Sequence, residues 1–180
     1  MSNTNASNTN AEANISPKIR VLIVDDEANA REGLSDLVDS WGYEVGTAPD
    51  VRTAFEMVKR FQPAIIISDL KMPENDGLAL LHLLKDEKLM DHTHVIILSA
   101  HGNIESAVDA VKLGAEEFLT KPVDVARLKI SLEKISKRSL IYEEMLLLRD
   151  KVRKLGTFGK LNGSTPKMKE VFKQVEIIAP

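Results

Sequence analysis

Cysteine is missing from this sequence of 180 residues. Disulfides, thiolate metal sites and cysteine nucleophiles are therefore excluded. Basic charge is not in excess: the formal net charge is -3, whereas a nucleic-acid footprint needs a basic face. No apolar run approaches the roughly 20 residues of a membrane span. Met1 to Pro17 has neither a basic start nor an apolar centre, so it is not a secretory signal. No glycine-rich dinucleotide fingerprint follows the first candidate strand, and no phosphate loop ending in Gly-Lys-Ser or Gly-Lys-Thr occurs. The expectation left standing is a soluble cytoplasmic protein with no membrane partner.

What is present is 43% hydrophobic and 28% charged residues, which suits one compact domain with appendages. Met1 to Pro17, rich in Asn, Ser, Thr and Ala, cannot bury enough apolar surface to offset its ordering entropy and reads as disordered. Asn5-Ala6-Ser7 and Asn14-Ile15-Ser16 match the glycosylation pattern by chance in a cytoplasmic chain.

Arg20-Val21-Leu22-Ile23-Val24 and Ile65-Ile66-Ile67 are continuous, β-branched runs bounded by breakers, the pattern of strands buried on both faces of a parallel sheet. His94 to Ser99 is a third such strand, and Tyr43-Glu44-Val45 and Phe118-Leu119 are shorter ones. Helices alternate with them. The first carries Leu34, Leu37, Val38 and Trp41 and stops at Gly42. Asp50 caps the second, whose inner face is Ala54, Phe55, Val58 and Phe61. The third runs from about Gly77 with Leu78, Leu80, Leu81 and Leu84 facing in and Asp76 as its cap. The fourth opens at Gly102-Asn103, carries Ile104, Ala107, Val108 and Val111, and stops at Gly114. The last starts near Asp124 with Leu128, Leu132 and Ile135 on one face. Strand and helix in this alternation imply a small doubly wound α/β domain.

Beyond that domain, Ile141, Met145, Leu148, Val152 and Leu155 follow a 4-3-4-3 spacing, the seam of a short coiled coil. It predicts a homodimer through the 139–155 helix. Thr157 to Asn162 reads as a linker, and Thr165 with Pro166 opens a further helix bearing Met168, Val171, Phe172, Val175 and Ile178. The expected organisation is a tail over 1–17, a domain over 18–138, a dimerising linker over 139–156, and the first helix of another domain over 157–180.

In a doubly wound sheet the carboxyl ends of the strands share one edge, where ligands bind. That edge would gather Asp25, Asp26, Asp69, Ser99 and Lys121. Three carboxylates in one pocket repel strongly unless a cation intervenes, and all-oxygen donors favour magnesium over zinc. Lys121 adds a point charge suited to a phosphoryl oxygen, and Ser99 adds a hydroxyl. One carboxylate nucleophile, a magnesium site, a lysine and a hydroxyl are what phosphoryl transfer to an aspartate requires.

Four motifs carry a resemblance: Val24-Asp25-Asp26-Glu27; Ser68-Asp69-Leu70-Lys71-Met72-Pro73 followed by Asp76-Gly77; Leu98-Ser99-Ala100-His101-Gly102; and Gly114-Ala115-Glu116-Glu117-Phe118-Leu119-Thr120-Lys121-Pro122. From about Ile19 to Arg138 the chain resembles the receiver domain of bacterial two-component response regulators. The resemblance implies a flavodoxin-like five-stranded parallel sheet of order 2-1-3-4-5. It implies that Asp69 accepts a phosphoryl group from the phosphohistidine of a sensor kinase. Asp26, Asp69 and the backbone carbonyl of Lys71 would bind Mg2+, with Asp25 acting mainly through a metal-bound water. Lys121 would pair with the phosphoryl group or Asp69, and Ser99 would follow the phosphoryl oxygen. Phe118 would hold the switch aromatic position, without a tyrosine's hydroxyl. A cis Lys121-Pro122 bond and a readout surface on the fourth helix, fifth strand and fifth helix are also implied. Such a domain is a regulatory acceptor, not an enzyme.

Gly102-Asn103, Ala107-Val108 and Lys112-Leu113-Gly114-Ala115 are similar to NtrC-type receivers. Leu161-Asn162-Gly163-Ser164 with Met168 and Val171-Phe172 resembles the entry of the AAA+ domain of sigma-54-dependent activators. On that reading the chain is cut before its ATPase core, and sigma-54 RNA polymerase and DNA are reached only through domains beyond it. A haloacid-dehalogenase-type phosphatase would need a second aspartate two residues after its nucleophile, where Lys71 stands. A receiver with another output, or one that binds partners unphosphorylated, remains an alternative. His92 and His94 have no third ligand nearby and read as loop residues, His82 as an ordinary helical residue, and His101 as lining the loop after the fourth strand. Glu27 reads as a cap of the first helix.

Overall fold

The computed structural model describes residues 18–73, 76–90, 92–100, 104–154, 157–158, 161–162, 166–167 and 170. The tail over 1–17, His101, and most of the proposed helix after Thr165 lie outside the described residues. The chain falls into two compact units, divided between Pro122 and Val123.

The first unit holds β1 (Arg20–Val24), α1 (Ala28–Ser40), β2 (Glu44–Ala48), α2 (Val51–Phe61), β3 (Ile65–Asp69), α3 (Gly77–Asp86), β4 (His94–Ser99), α4 (Ile104–Leu113) and β5 (Glu117–Thr120). The five strands form one sheet of order β2-β1-β3-β4-β5, with every neighbouring pair parallel. This is the flavodoxin-like order expected from the sequence.

The continuous apolar runs have the predicted consequence. Alternate residues point to opposite faces. Leu22, Val24, Ile66, Val95 and Ile97 join one buried cluster with Val51, Ala54 and Val58 of α2, Leu80, Leu81 and Leu84 of α3, and Ala110 of α4. The residues between them, Val21, Ile23, Ile65, Ile67, Ile96 and Leu98, are buried as well. Each fully buried aliphatic side chain contributes about 1.5–3 kcal/mol, so a one-residue slip that exposed either set is strongly disfavoured.

Helix ends follow their local chemistry. α1 stops where Gly42 takes φ 90° and donates its N–H to the Asp39 carbonyl at 2.8 Å, a conformation costly for a residue with a Cβ. Asp76 caps α3 by accepting the Ala79 N–H at 3.0 Å. Glu27 occupies the cap position of α1 but makes no side-chain cap bond. Its own N–H instead donates to Asp25 Oδ1 at 2.9 Å, which corrects the capping role expected for it.

Asp50 caps α2 by accepting the Thr53 N–H at 2.7 Å. That hydrogen bond holds its carboxyl below the usual value of 3.8, against a smaller opposing effect of burial. A depressed carboxylate contributes stability above its unfolded value and loses it as pH falls through the folded value. Asp50→Ala is expected to lose about 1 kcal/mol of unfolding free energy at neutral pH, with the gap from wild type shrinking below pH 3.8. Urea unfolding at pH 7 and in acid checks both the loss and its direction.

α4 departs from the usual inward apolar face. Of its apolar residues only Ala110 is fully buried, while Ile104 is 79% exposed and Val111 60% exposed. With Ala107, Val108, Phe118 and Thr120 they line an open apolar groove between α4 and β5.

The second unit is led by α5 (Val125–Lys154), a single helix of 30 residues. Asp124 caps it, accepting the N–H groups of Ala126 and Arg127 at 3.0 and 3.1 Å. Leu128, Leu132 and Ile135 are buried, as the sequence predicts, while Leu140, Ile141, Leu147 and Leu148 are exposed. Thr157 to Asn162, expected as a linker, contains two short antiparallel strands, β6 (Thr157–Phe158) and β7 (Leu161–Asn162). Two-residue strands carry too little alternation to be read from a sequence.

Candidate functional site

Parallel register decides what meets at the sheet's edge. Val24 of β1 lies beside Ser68 of β3, so the next residues, Asp25 and Asp69, leave the sheet side by side. Asp69 in turn lies beside Leu98 of β4, and Ser99 beside Thr120 of β5. Lys121 follows, and its N–H donates to the Ser99 carbonyl at 2.7 Å. Four strands thus deliver four residues to one place.

Asp25 and Asp69 are both buried. Buried charges need partners, and Lys121 provides one for each: its Nζ donates to Asp25 Oδ2 at 2.8 Å and to Asp69 Oδ2 at 2.7 Å. Burial alone would pull the Lys121 ammonium down. The hydrogen bonds to Asp25 and Asp69 outweigh that and raise it above its usual 10.5, so it is charged at neutral pH.

Asp26 is exposed at the mouth, and carboxylate oxygens of Asp25, Asp26 and Asp69 all lie within 4.8 Å of one another. One ammonium does not balance three carboxylates. The mismatch, the oxygen-only donor set and the open Asp26 side fit a hard divalent cation with access to water. The Lys71 N–H donates to Asp69 Oδ1 at 3.3 Å, which places the Lys71 backbone against the same carboxylate.

Ser99 is buried at the end of β4. Phe118 lies in β5 beside Ile97, partly buried against the core and lining the α4–β5 groove. The Lys121-Pro122 bond is cis. His82 is exposed on α3, and His94 pairs with Glu116 at 3.6 Å at the opposite end of the strands. Neither joins the acidic group.

Two residues that sequence reasoning did not single out shape the site. Arg31 Nη1 donates to the Asp25 carbonyl at 2.6 Å. Gly77 lies so close to β3 that an added Cβ would overlap the Asp69 carbonyl oxygen and meet Leu70 Cα at 3.2 Å. The signal for Arg31 was its place in the first turn of α1, since helical side chains lean toward the preceding turn. For Gly77 it was a glycine directly after the Asp76 cap.

A family model described as the response regulator receiver domain matches residues 21–133. The chain belongs to that receiver family. The chemotaxis protein CheY of Thermotoga maritima is 38% identical to this receiver over 66% of the chain and 98% of CheY. The transcriptional regulatory protein ZraR of Escherichia coli (strain K12) is 32% identical over 90% of the chain but only 35% of ZraR. The chain thus spans about a third of the length of the transcriptional regulators it matches. Among solved structures, a response regulator receiver domain protein from Clostridium thermocellum superposes with a TM-score of 0.63 at 31% identity, covering 68% of this chain and 98% of that one. As a receiver it is a regulatory domain related to transcriptional regulators, and among the described residues no helix is long and apolar enough to cross a membrane.

Proposed function

We propose that this receiver takes a phosphoryl group onto Asp69 from the phosphohistidine of a sensor histidine kinase and thereby switches a transcriptional activator. The observation that carries the reading is the pairing of Asp69 with Lys121 at 2.7 Å inside a cluster of three carboxylates. In the transfer, a carboxylate oxygen of Asp69 forms a bond to phosphorus as the phosphorus–nitrogen bond to the histidine breaks. The electron pair of that bond leaves with the imidazole. Little covalent chemistry is asked of the protein, and the barrier falls through positioning and charge neutralisation.

Asp26, Asp69 and the Lys71 carbonyl hold Mg2+, with Asp25 acting through water. The cation supplies the positive charge that lets an anionic donor approach an anionic acceptor. Lys121 is held between Asp25 and Asp69 beforehand, so its ammonium needs little reorganisation to meet a phosphoryl oxygen. Phosphorylation adds about -1.5 to -2 charges at Asp69. Only a state that brings the Ser99 hydroxyl and Lys121 onto the new oxygens gains from them, so the population moves toward that state by the difference in interaction alone. Phe118 moves with Ser99, and α4, β5 and α5 form the readout surface. The exposed apolar groove between α4 and β5 supports that placement.

The organisation that fits this role is a receiver over 18–138, a homodimerising helix over 139–156 and the start of an output domain over 157–180. The exposed Ile141 and Leu148 at heptad spacing support the dimer. The sigma-54-dependent output rests on the sequence from Leu161 onward and on the match to longer transcriptional regulators. Such a protein works in the cytoplasm.

Incubation with Mg2+ and acetyl phosphate, followed by intact mass measurement, is expected to show a gain of one phosphoryl group, and none when EDTA is present. A folded protein that gains nothing from acetyl phosphate or from any sensor-kinase donor would sink the reading.

A further inference from the structure

We infer that Arg31 is a positioning residue for the acidic pocket: its guanidinium holds the backbone of the β1–α1 loop so that Asp25 and Asp26 face Asp69. The inference rests on the metal and acceptor reading given above. Arg31 Nη1 donates to the Asp25 carbonyl at 2.6 Å and lies 3.4 Å from the Asp26 carbonyl. Two successive acidic residues therefore have their backbone oxygens turned to one cation. The rest of the loop is tied down separately: the Asp25 N–H reaches the Ala48 carbonyl at 3.2 Å, and the Glu27 N–H reaches Asp25 Oδ1 at 2.9 Å. With both carbonyls held by Arg31, the Asp25 carboxylate is committed to Lys121 and the Asp26 carboxylate is left at the mouth within reach of Asp69.

Arginine suits this task because a planar fork with several donors can serve two carbonyls at once, which a lysine ammonium on a flexible stem does less well. Its location follows from the helix. Arg31 donates its own N–H to the Glu27 carbonyl at 3.0 Å in the first turn of α1, and its side chain runs back over that turn to the loop. Outer-shell partners of this kind orient metal ligands, and their loss typically weakens metal affinity by about 10–100-fold.

A purely electrostatic role would have the opposite sign. A guanidinium beside a cation site repels the cation, so removing it should tighten Mg2+ binding if charge were all that mattered. If Arg31 positions the loop, removing it should weaken binding.

Mg2+ titrations of the full chain followed by backbone amide NMR decide between these, using wild type, Arg31→Ala and Arg31→Lys. The expected result is a Kd for Mg2+ raised about 10-fold in Arg31→Ala and by less in Arg31→Lys, with amide shifts away from the β1–α1 loop unchanged. Unchanged or tighter binding by a folded Arg31→Ala would overturn the inference. Should that variant fail to fold, wild-type affinity in Arg31→Lys, which keeps the charge and loses the fork, would overturn it equally. A wild type that shows no saturable Mg2+ binding would sink the metal reading itself, and this inference with it.

Discussion

Asp69→Asn takes up no phosphoryl group from acetyl phosphate while remaining folded, and its intact mass stays unchanged under conditions that phosphorylate the wild type. An amide cannot serve as the acceptor, because its nitrogen and oxygen lack the charge of a carboxylate and form no acyl phosphate. The structure argues that folding survives. Asp69 shares its pocket with Asp25 and Asp26, so removing one charge of three relieves repulsion. Lys121 loses one bond but keeps Asp25 at 2.8 Å, and asparagine retains an oxygen at the position that accepts the Lys71 N–H. These effects oppose one another, and the net change in stability is within about 1 kcal/mol, since neither ion of the remaining pair is left buried alone. Mass measurement and thermal unfolding on one preparation separate loss of the acceptor from loss of the fold. Phosphorylation at full level in Asp69→Asn would place the acceptor elsewhere, with exposed Asp26 the first residue to examine.

Gly77→Ala is expected to be the most damaging small substitution in the domain. Its single added carbon would overlap the Asp69 carbonyl oxygen and crowd Leu70 Cα and Ser68 Oγ, each at 3.2 Å. Two of these neighbours are backbone, which cannot swing aside as a long side chain can. The Gly77 N–H also donates to the Leu70 carbonyl at 2.8 Å, tying α3 to the same peptide. Relief therefore requires α3 or the end of β3 to shift. Overpacking of this kind costs about 1–3 kcal/mol, and each kcal/mol lowers Tm by roughly 4 °C in a domain of this size. Because the shifted peptide belongs to Asp69, phosphorylation should slow as well as stability fall. Calorimetry together with the rate of mass gain checks both, and a wild-type Tm with a wild-type rate would show that α3 yields without disturbing the acceptor.

Much of this was legible in the sequence for a specific reason. Ile65 to Ile67 and Val95 to Leu98 are apolar on both sides, a pattern that only a strand covered on both faces sustains. Once those strands were placed, the acids and Lys121 fell at their carboxyl ends without further assumption. α4 was harder. Ile104, Val108 and Val111 have helical spacing yet remain exposed, because periodicity reports an amphipathic face and not what covers it. Arg31 and Gly77 were obscure for another reason. Their importance lies in approaches to the backbone of Asp25 and Asp69, and backbone contacts leave no trace in residue type. Glu27 illustrates the same limit: an acidic residue before a helix suggests a cap, but its N–H was already taken by Asp25 Oδ1.

The convergence of strand ends also imposes an order in time. During synthesis Asp69 leaves the ribosome 52 residues ahead of Lys121, an interval of about 3–10 s at roughly 5–20 residues per second. Throughout it the acceptor carboxylate exists without its lysine, because β5 has not yet been made to dock beside β4. A nascent chain thus carries the aspartate but not the pocket. Since sheet pairing between distant segments comes late in folding, competence to receive a phosphoryl group certifies that the last strand is in place. The receiver in this sense inspects its own assembly before it can be told anything.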